Sequence, residues 1–378
     1  MHILGMMSGT SADGIDAALL QFSPDSAGKL AGHWHWPYPA ELQDRIFRLQ
    51  ESLSTPALLA LDREIGQLHG QFAHQILAAG GEFDLVALHG QTVAHQPDAL
   101  PGYTWQIGSP YDVVQSTGRS VAYDFRRADL AAGGQGAPLV PPFHAALLRD
   151  RSPLLVLNLG GMANITWLPA RDDGRSAQAF DSGPGNVLID AASQLLSQGA
   201  RRYDHDGAWA AQGRIQADAL HTWMGMDYFQ RPPPKSTGRE LFDARWVAQQ
   251  WSTWQHSEAD FLATLTALTA ESIALSVQRW LPAAARMLVF GGGAHNPFLL
   301  ARLQAALPER SIEIGEQVTA IPSEAMEAMA FAWLGGQCLL GRALDLQNVT
   351  GQQRAVVLGS LVPGDNWSRL LTWGEASC

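Results

Sequence analysis

Between its glycines the chain alternates short apolar runs with longer stretches of helical period. Residues 2–9 read as a strand entering a glycine-rich turn, and Ile15–Phe22 as the strand leaving it. The order is strand, loop, strand, not the strand-to-helix passage of a Walker loop. Over 56–79, Leu58, Leu61, Ile65, Leu68, Phe72 and Ile76 recur at three- and four-residue steps, which predicts an amphipathic helix. Asp84–Leu88 predicts a short buried strand ending at His89-Gly90-Gln91-Thr92, and Ser120–Phe125 another strand. The stretch 131–142, AAGGQGAPLVPP, predicts a loop or a domain crossing. Leu154–Leu159, LLVLNL, is an unbroken apolar strand that turns at Gly160-Gly161-Met162-Ala163-Asn164 and continues as Ile165–Leu168. Phe180–Asn186 leads into a helix over Val187–Leu196, and 259–280 has the period of another. Met287–Phe290 predicts a buried strand ending at Gly291-Gly292-Gly293, and Glu324–Leu340 a last helix rich in Ala and Met. The two strand–glycine loop–strand units suggest a structural duplication, although their sequences barely match.

The 378 residues are enough for two domains, and 46% hydrophobic with 16% charged residues gives each a core. The formal net charge of −11 excludes a broad electrostatic grip on nucleic acid or anionic membrane, but leaves local anion binding by backbone amides open. The only cysteines, Cys338 and Cys378, exclude a disulfide framework and a cysteine-rich zinc site. The start MHILGMMSG lacks an export signal, and no apolar run approaches the ~18 residues of a membrane span, so a soluble cytoplasmic α/β protein is expected. Only Lys29 and Lys235 are lysines among the 25 basic residues. Where lysine survives in so arginine-rich a chain, a compact charge is expected to matter.

Candidate chemistry gathers at the glycine turns. Gly5–Asp16, GMMSGTSADGID, combines glycines that let backbone approach a ligand with the hydroxyls of Ser8, Thr10 and Ser11. It is read as a phosphate site, with Asp13 and Asp16 as candidate Mg²⁺ ligands. The spacing does not choose between the two. Asn158–Asn164, with adjacent Gly160 and Gly161, is a weaker signal by itself and gains weight as partner to the first loop; two such loops could clamp a triphosphate from both sides. In Phe180–Asn186, FDSGPGN, Asp181 at a strand end suits a general base. The alternative is an Asp capping the next helix, for which Asn186 competes. Gly291, Gly292 and Gly293 would let an adenine ring lie against backbone, or give a flexible turn. His89, Gln91, Thr92 and His95 offer donors and acceptors suited to a sugar. Glu324 and Glu327 share a helix face, by default a solvated one. His33 and His35 show no metal-ligand spacing. PPPKSTGRE (232–240) is a rigid lead into a hydroxyl-rich cationic segment in which Lys235 suits phosphate; a stiffened surface loop is the other reading.

These motifs resemble those of the anhydro-N-acetylmuramic acid kinases of bacterial cell-wall recycling, essentially end to end: GMMSGTSADGID (5–16), HGQTVAH (89–95), DFRRADLAAGGQGAPLVPPFH (124–144), NLGGMANIT (158–166), FDSGPGN (180–186), PKSTGRELF (234–242), VFGGGAHNPFL (289–299) and PSEAMEAMAFAWLG (322–335). The resemblance implies the α/β fold shared by sugar kinases, actin and Hsp70 ATPases: two lobes around a deep cleft, here 1–126 plus about 318–378, and 127–317. It implies ATP and Mg²⁺ as cofactors and transfer of the γ-phosphoryl to O6 of 1,6-anhydro-N-acetylmuramic acid, with hydrolytic opening of the anhydro ring. It implies Asp181 as base. Gly9, Thr10, Ser11, Ala12, Asp13, Gly14, Ile15 and Asp16 would form a phosphate loop, joined in binding ATP by Gly160, Gly161, Asn164 and Lys235. Gly291–Gly293 would lie in the adenosine pocket, Arg126 and Glu327 would join His89, Gln91 and Thr92 as sugar contacts, and a homodimer is suggested. Two rivals remain open: a kinase of the same fold for another sugar, and a non-catalytic actin-like nucleotide switch.

Overall fold

The computed structural model describes residues 1–9, 12–49, 54–238 and 241–377. Its strands, in chain order, are β1 (His2–Ser8), β2 (Gly14–Gln21), β3 (Lys29–Pro37), β4 (Leu85–Gln96), β5 (Tyr103–Ile107), β6 (Ser120–Tyr123), β7 (Leu154–Leu159), β8 (Met162–Leu168), β9 (Gln178–Pro184), β10 (Arg286–Phe290), β11 (Ser311–Ile314) and β12 (Ser360–Val362). The chain divides into two units, Met1–Leu147 with Glu324–Cys378, and Leu148–Ser323.

Each unit is built on one sheet. In the first the order is β12-β6-β4-β1-β2-β3, with β5 added to β4. In the second it is β11-β10-β7-β8-β9. The same pattern underlies both: three antiparallel strands in a meander, then two strands added in parallel beside the first. Parallel pairing requires crossovers, which the first unit makes through Thr55–Ala78 and Pro110–Thr117. This duplicated 3-2-1-4-5 sheet is that of the α/β ATPase fold shared by sugar kinases, actin and Hsp70. The β1–β2 and β7–β8 connections are equivalent in chain order, each joining the first two strands of its sheet.

Local chemistry explains the elements. Ser54 caps the helix Thr55–Ala78 by accepting from the Ala57 amide, with proline in the first turn. Leu58, Leu61, Ile65, Phe72 and Ile76 form its buried face. The helix Ser323–Leu339 is buried on nearly all sides, and its small residues follow from close packing. A Cβ at Gly5 of β1 would overlap Ala328 O and Ala332 N, and one at Gly335 would come 2.6 Å from Ala87 Cβ of β4.

Three expectations are corrected. β4 does not end at His89: Gly90 takes a positive φ of 76°, the ladder to β1 bulges there, and the strand runs on to Gln96 with β5 as its new partner. The boundary between units falls after Leu147, not near residue 126, and the chain returns at Glu324. Fully buried Asp129 accepts from Gly136 N and Thr350 Oγ1, both at 2.7 Å, and Gln353 N donates to Ala132 O, so 127–136 is folded onto the C-terminal segment. Finally, one helix among the described residues, Glu258–Trp280, is long and apolar enough to cross a membrane. It is buried, with Phe261, Leu265 and Leu268 in one core of the second unit and Ile273 and Val277 in another.

The first unit carries all the buried histidines. Burial pushes His69, His95 and His144 down to about 4 and His89 well below its ordinary value, whereas His205, His221, His256 and His295 of the second unit are exposed. A depressed histidine favours folding above its unfolded pKa of about 6.5 and loses that contribution as pH falls toward its folded value. We therefore expect amide hydrogen exchange between pH 6.5 and 4 to show the first unit losing protection while the second retains it; simultaneous loss would contradict this.

Candidate functional site

In the second unit the β8–β9 ladder sets Asn164 directly opposite Asp181, next to a bulge at Ala163/Asn164. Asp181 lies inside β9, which continues to Pro184, rather than at a strand end as expected. Its side chain is 6% exposed and well held. The Asn164 side-chain amide donates to Oδ1, and the Thr237 N–H donates to Oδ2 at 3.0 Å. Its backbone N–H donates to Lys235 O at 3.1 Å, and its carbonyl accepts from the Tyr228 hydroxyl at 2.7 Å. The segment 235–237 thus covers the open edge of β9. Two N–H donors fix the direction of this carboxylate. Asp181 caps no helix, and neither does the Asn186 side chain, which donates to Leu159 O at 3.1 Å.

The turn between β7 and β8 is anchored through its carbonyls. Gly160 O accepts from Asn186 N at 2.9 Å, and Gly161 O from Gly185 N at 2.8 Å. Among the described residues, neither the Gly160 nor the Gly161 N–H donates to a protein acceptor. The space above them is open: a Cβ at Gly161 would meet nothing within 4 Å, and one at Gly160 only Met162 O at 3.8 Å. Two spare amides beside open space make an anion site possible. The Gly291–Gly293 triplet is different. A Cβ at Gly291 (φ 85°) would press on Asn158 Oδ1 at 2.7 Å, and one at Gly293 on Leu159 Cβ at 2.7 Å. Those two glycines are needed for packing on β7, and only Gly292 leaves open space.

Two of the expected ATP contacts are placed otherwise. Asn164 directs its amide to Asp181. Lys235 is 4% exposed and donates from Nζ to Tyr228 O at 3.1 Å, so its ammonium is not presented as a phosphate contact.

In the first unit, Gly9, Ala12 and Asp13 belong to the β1–β2 connection and Gly14 opens β2, while Thr10 and Ser11 lie outside the described residues. Ala12 is buried in the left-handed region (φ 50°), a strained conformation for a residue with a Cβ. The loop is tied by Gln91, 1% exposed: its Nε2 donates to Gly9 O at 3.0 Å and its Oε1 lies 2.6 Å from Ser8 Oγ, which also lies 2.9 Å from Gly14 O. Both ends of the Gln91 amide thus serve the loop, contrary to the expected sugar contact. Ile15 is core. Asp13 is exposed. Asp16 Oδ1 lies 2.8 Å from His35 Nδ1. Burial raises the Asp16 carboxyl above the usual range, and Asp13 and Glu324 add to this against the opposing effect of His35. Among the described residues no group of three or more His, Cys, Asp or Glu is arranged to hold a metal ion.

Of the expected sugar residues, His89 and Arg126 come together. Arg126 donates from Nε to His89 Nε2 at 2.9 Å and from Nη1 to Gly136 O at 2.8 Å. His89 Nδ1 lies 2.8 Å from Gly90 O, and burial with the nearby guanidinium keeps the imidazole neutral, so Nε2 accepts. Phe331 packs tilted against His89, with ring centroids 4.5 Å apart, and lies under the Arg126 guanidinium at 6.0 Å. Glu327 is one turn before Phe331 on the same helix face. Thr92 accepts from Gln106 Nε2 at 3.3 Å. Sequence reasoning missed Tyr228 and the backbone of Thr237; no local motif marks a hydroxyl or an N–H that reaches Asp181 from a separate segment.

Residues 1–364 match the family model described as anhydro-N-acetylmuramic acid kinase. The chain is 50% identical over 371 residues to the protein of that name from Acidithiobacillus ferrooxidans, covering 98% of this chain and 94% of the relative. It is 42% identical to the one from Xanthomonas axonopodis pv. citri, over 95% of this chain and 97% of the relative. The one from Shewanella loihica is 41% identical, over 96% and 99%. Solved structures of similar course include the activator of 2-hydroxyisocaproyl-CoA dehydratase from Clostridium difficile with bound ADPNP (TM-score 0.44, 10% identity, 89% of this chain and 94% of that one). A ROK family glucokinase from Streptomyces griseus is another (TM-score 0.39, 12% identity, 89% and 100%). With its glycine hairpins, its buried aspartate and its near-full-length relatives in agreement, the chain belongs to the anhydro-N-acetylmuramic acid kinase family.

Proposed function

We propose that the chain transfers the γ-phosphoryl group of ATP to O6 of 1,6-anhydro-N-acetylmuramic acid while water opens the anhydro bridge, giving N-acetylmuramic acid 6-phosphate in peptidoglycan recycling. The observation that carries this reading is Asp181, a nearly buried carboxylate aimed by two N–H donors within a chain of this family. A 1,6-anhydro sugar has no free O6. The oxygen of water must bond to C1 as the C1–O6 bond breaks, and O6 then bonds to the γ-phosphorus with ADP leaving. Asp181 takes the proton from that water. One base therefore serves both bond changes.

The first glycine turn, with Gly9, Ala12, Asp13 and the first residue of β2, Gly14, described and Thr10 and Ser11 beside them in sequence, is assigned to the phosphates, as are the spare amides of Gly160 and Gly161. Gly292 is assigned to the adenosine side. Arg126 and Glu327, with His89 orienting Arg126, are assigned to the sugar. Asp13 and Asp16 are assigned to Mg²⁺ of the kind shared with phosphate and water, as hard carboxylate donors whose charges repel one another. Mg²⁺, when bound, neutralises phosphate charge. Residence in the cytoplasm and assembly as a homodimer belong to the same reading.

Two outcomes are expected. Asp181→Asn keeps ATP affinity by calorimetry but loses about 10²–10⁴-fold in kcat; near-normal turnover would remove Asp181 from the mechanism. Gln91→Leu leaves Ser8 and Gly9 without their side-chain partner, costing about 1–3 kcal/mol locally. Steady-state kinetics should show KM for ATP rising several-fold while KM for the sugar holds, and the opposite split would return Gln91 to the sugar.

A further inference from the structure

We propose that Lys235 is a positioning residue for the general base: its buried ammonium acts through Asp181, helping to keep that carboxylate ionised, and contacts neither phosphate nor sugar. The inference rests on the reading of Asp181 as the base. The Lys235 ammonium donates to Tyr228 O at 3.1 Å and stands over the rings of Tyr228 at 4.7 Å and Phe180 at 5.9 Å. Each of these contacts leads back to Asp181. Phe180 precedes it in β9. Tyr228, which holds the ammonium with its ring and carbonyl, donates its hydroxyl to Asp181 O at 2.7 Å. The Lys235 carbonyl accepts from Asp181 N at 3.1 Å. The ammonium is therefore fixed against the same short piece of β9 that carries the base.

A charge so placed is costly unless an opposite charge is near. Burial pushes the Lys235 ammonium down to about 8, the carboxylate of Asp181 holds it up, and Arg231 and Arg279 push it further down. The acidic group acting on Lys235 is thus Asp181, and the dependence is mutual. Asn164 and the Thr237 N–H set the direction of the carboxylate, while Lys235 supplies compensating charge. This accounts for a lysine at a buried position of a chain whose other basic residues are, Lys29 apart, all arginine.

The scarcity of lysine makes the test direct. With lysine-selective isotope labelling the full-length protein should give two side-chain NMR signals, from exposed Lys29 and buried Lys235. We expect Lys235 to titrate below Lys29, and lower still in Asp181→Asn, with Lys29 unmoved. We also expect Lys235→Met to raise the acidic limb of the kcat/KM profile by about 1–3 pH units while KM for ATP holds, the range an adjacent opposite charge produces. An unchanged Lys235 titration in Asp181→Asn would overturn the inference, as would an unmoved acidic limb in Lys235→Met. A tenfold rise in KM for ATP with the limb in place would assign Lys235 to phosphate instead. If Lys235→Met does not fold, the titrations of the parent and Asp181→Asn decide the matter. Normal turnover in Asp181→Asn, by contrast, removes the base reading and leaves the lysine–aspartate coupling visible by NMR.

Discussion

A carboxylate can serve as a base only if it stays ionised, and burial works against that. Asp181, the base proposed for this chain, meets that constraint with several supports in the second unit. Asp181 is placed mid-strand, so the ladder fixes its backbone and puts Asn164 opposite. β9 is the edge of its sheet, and the segment at Lys235–Thr237 closes that edge while supplying an N–H to the carboxylate and a carbonyl to the backbone. A loop residue in the same place would lack this double support. The long separation in sequence between β9 and residue 235 is what lets a covering segment bring its own donor.

The two sheets show one architecture adapted twice. Both place a tight connection between their first and second strands, yet the connections are stabilised by opposite means. The β7–β8 turn gives its carbonyls to Gly185 and Asn186 and keeps its amides spare. The β1–β2 loop accepts a left-handed alanine and is clamped by the side chain of Gln91, which reaches it from the bulged stretch of β4. The bulge also turns His89 into the interior, where it becomes a neutral acceptor for Arg126. One irregularity in β4 therefore serves two parts of the proposed site.

The fold was legible where apolar period and glycine punctuation agree. β1, β2, β7, β8 and β10, the helix Thr55–Ala78 and the duplication can all be read from local pattern. β3 escaped although its His33-Trp34-His35-Trp36 alternation has the period of a half-buried strand, with Trp34 and Trp36 against the core. Glycines misled where they serve packing or a bulge. Gly90 reads as a turn but lengthens β4, Gly183 reads as a turn but lies within β9, and Gly291 and Gly293 read as ligand room but accommodate β7. Side-chain roles were the least legible. Asn164 and Lys235, expected at the nucleotide, and Gln91, expected at the sugar, each turn a polar end toward another protein group. Only tertiary geometry separates a residue that binds from one that holds the binder.

In the proposed reaction water, relieved of its proton by Asp181, adds at C1 as O6 is phosphorylated. Mass spectrometry of the product formed from the anhydro sugar and ATP in ¹⁸O-water tests it most directly. Label is expected at C1 of N-acetylmuramic acid 6-phosphate and none in the phosphoryl group. Label in the phosphoryl group, or an unlabelled product in which the anhydro bridge survives, would contradict it.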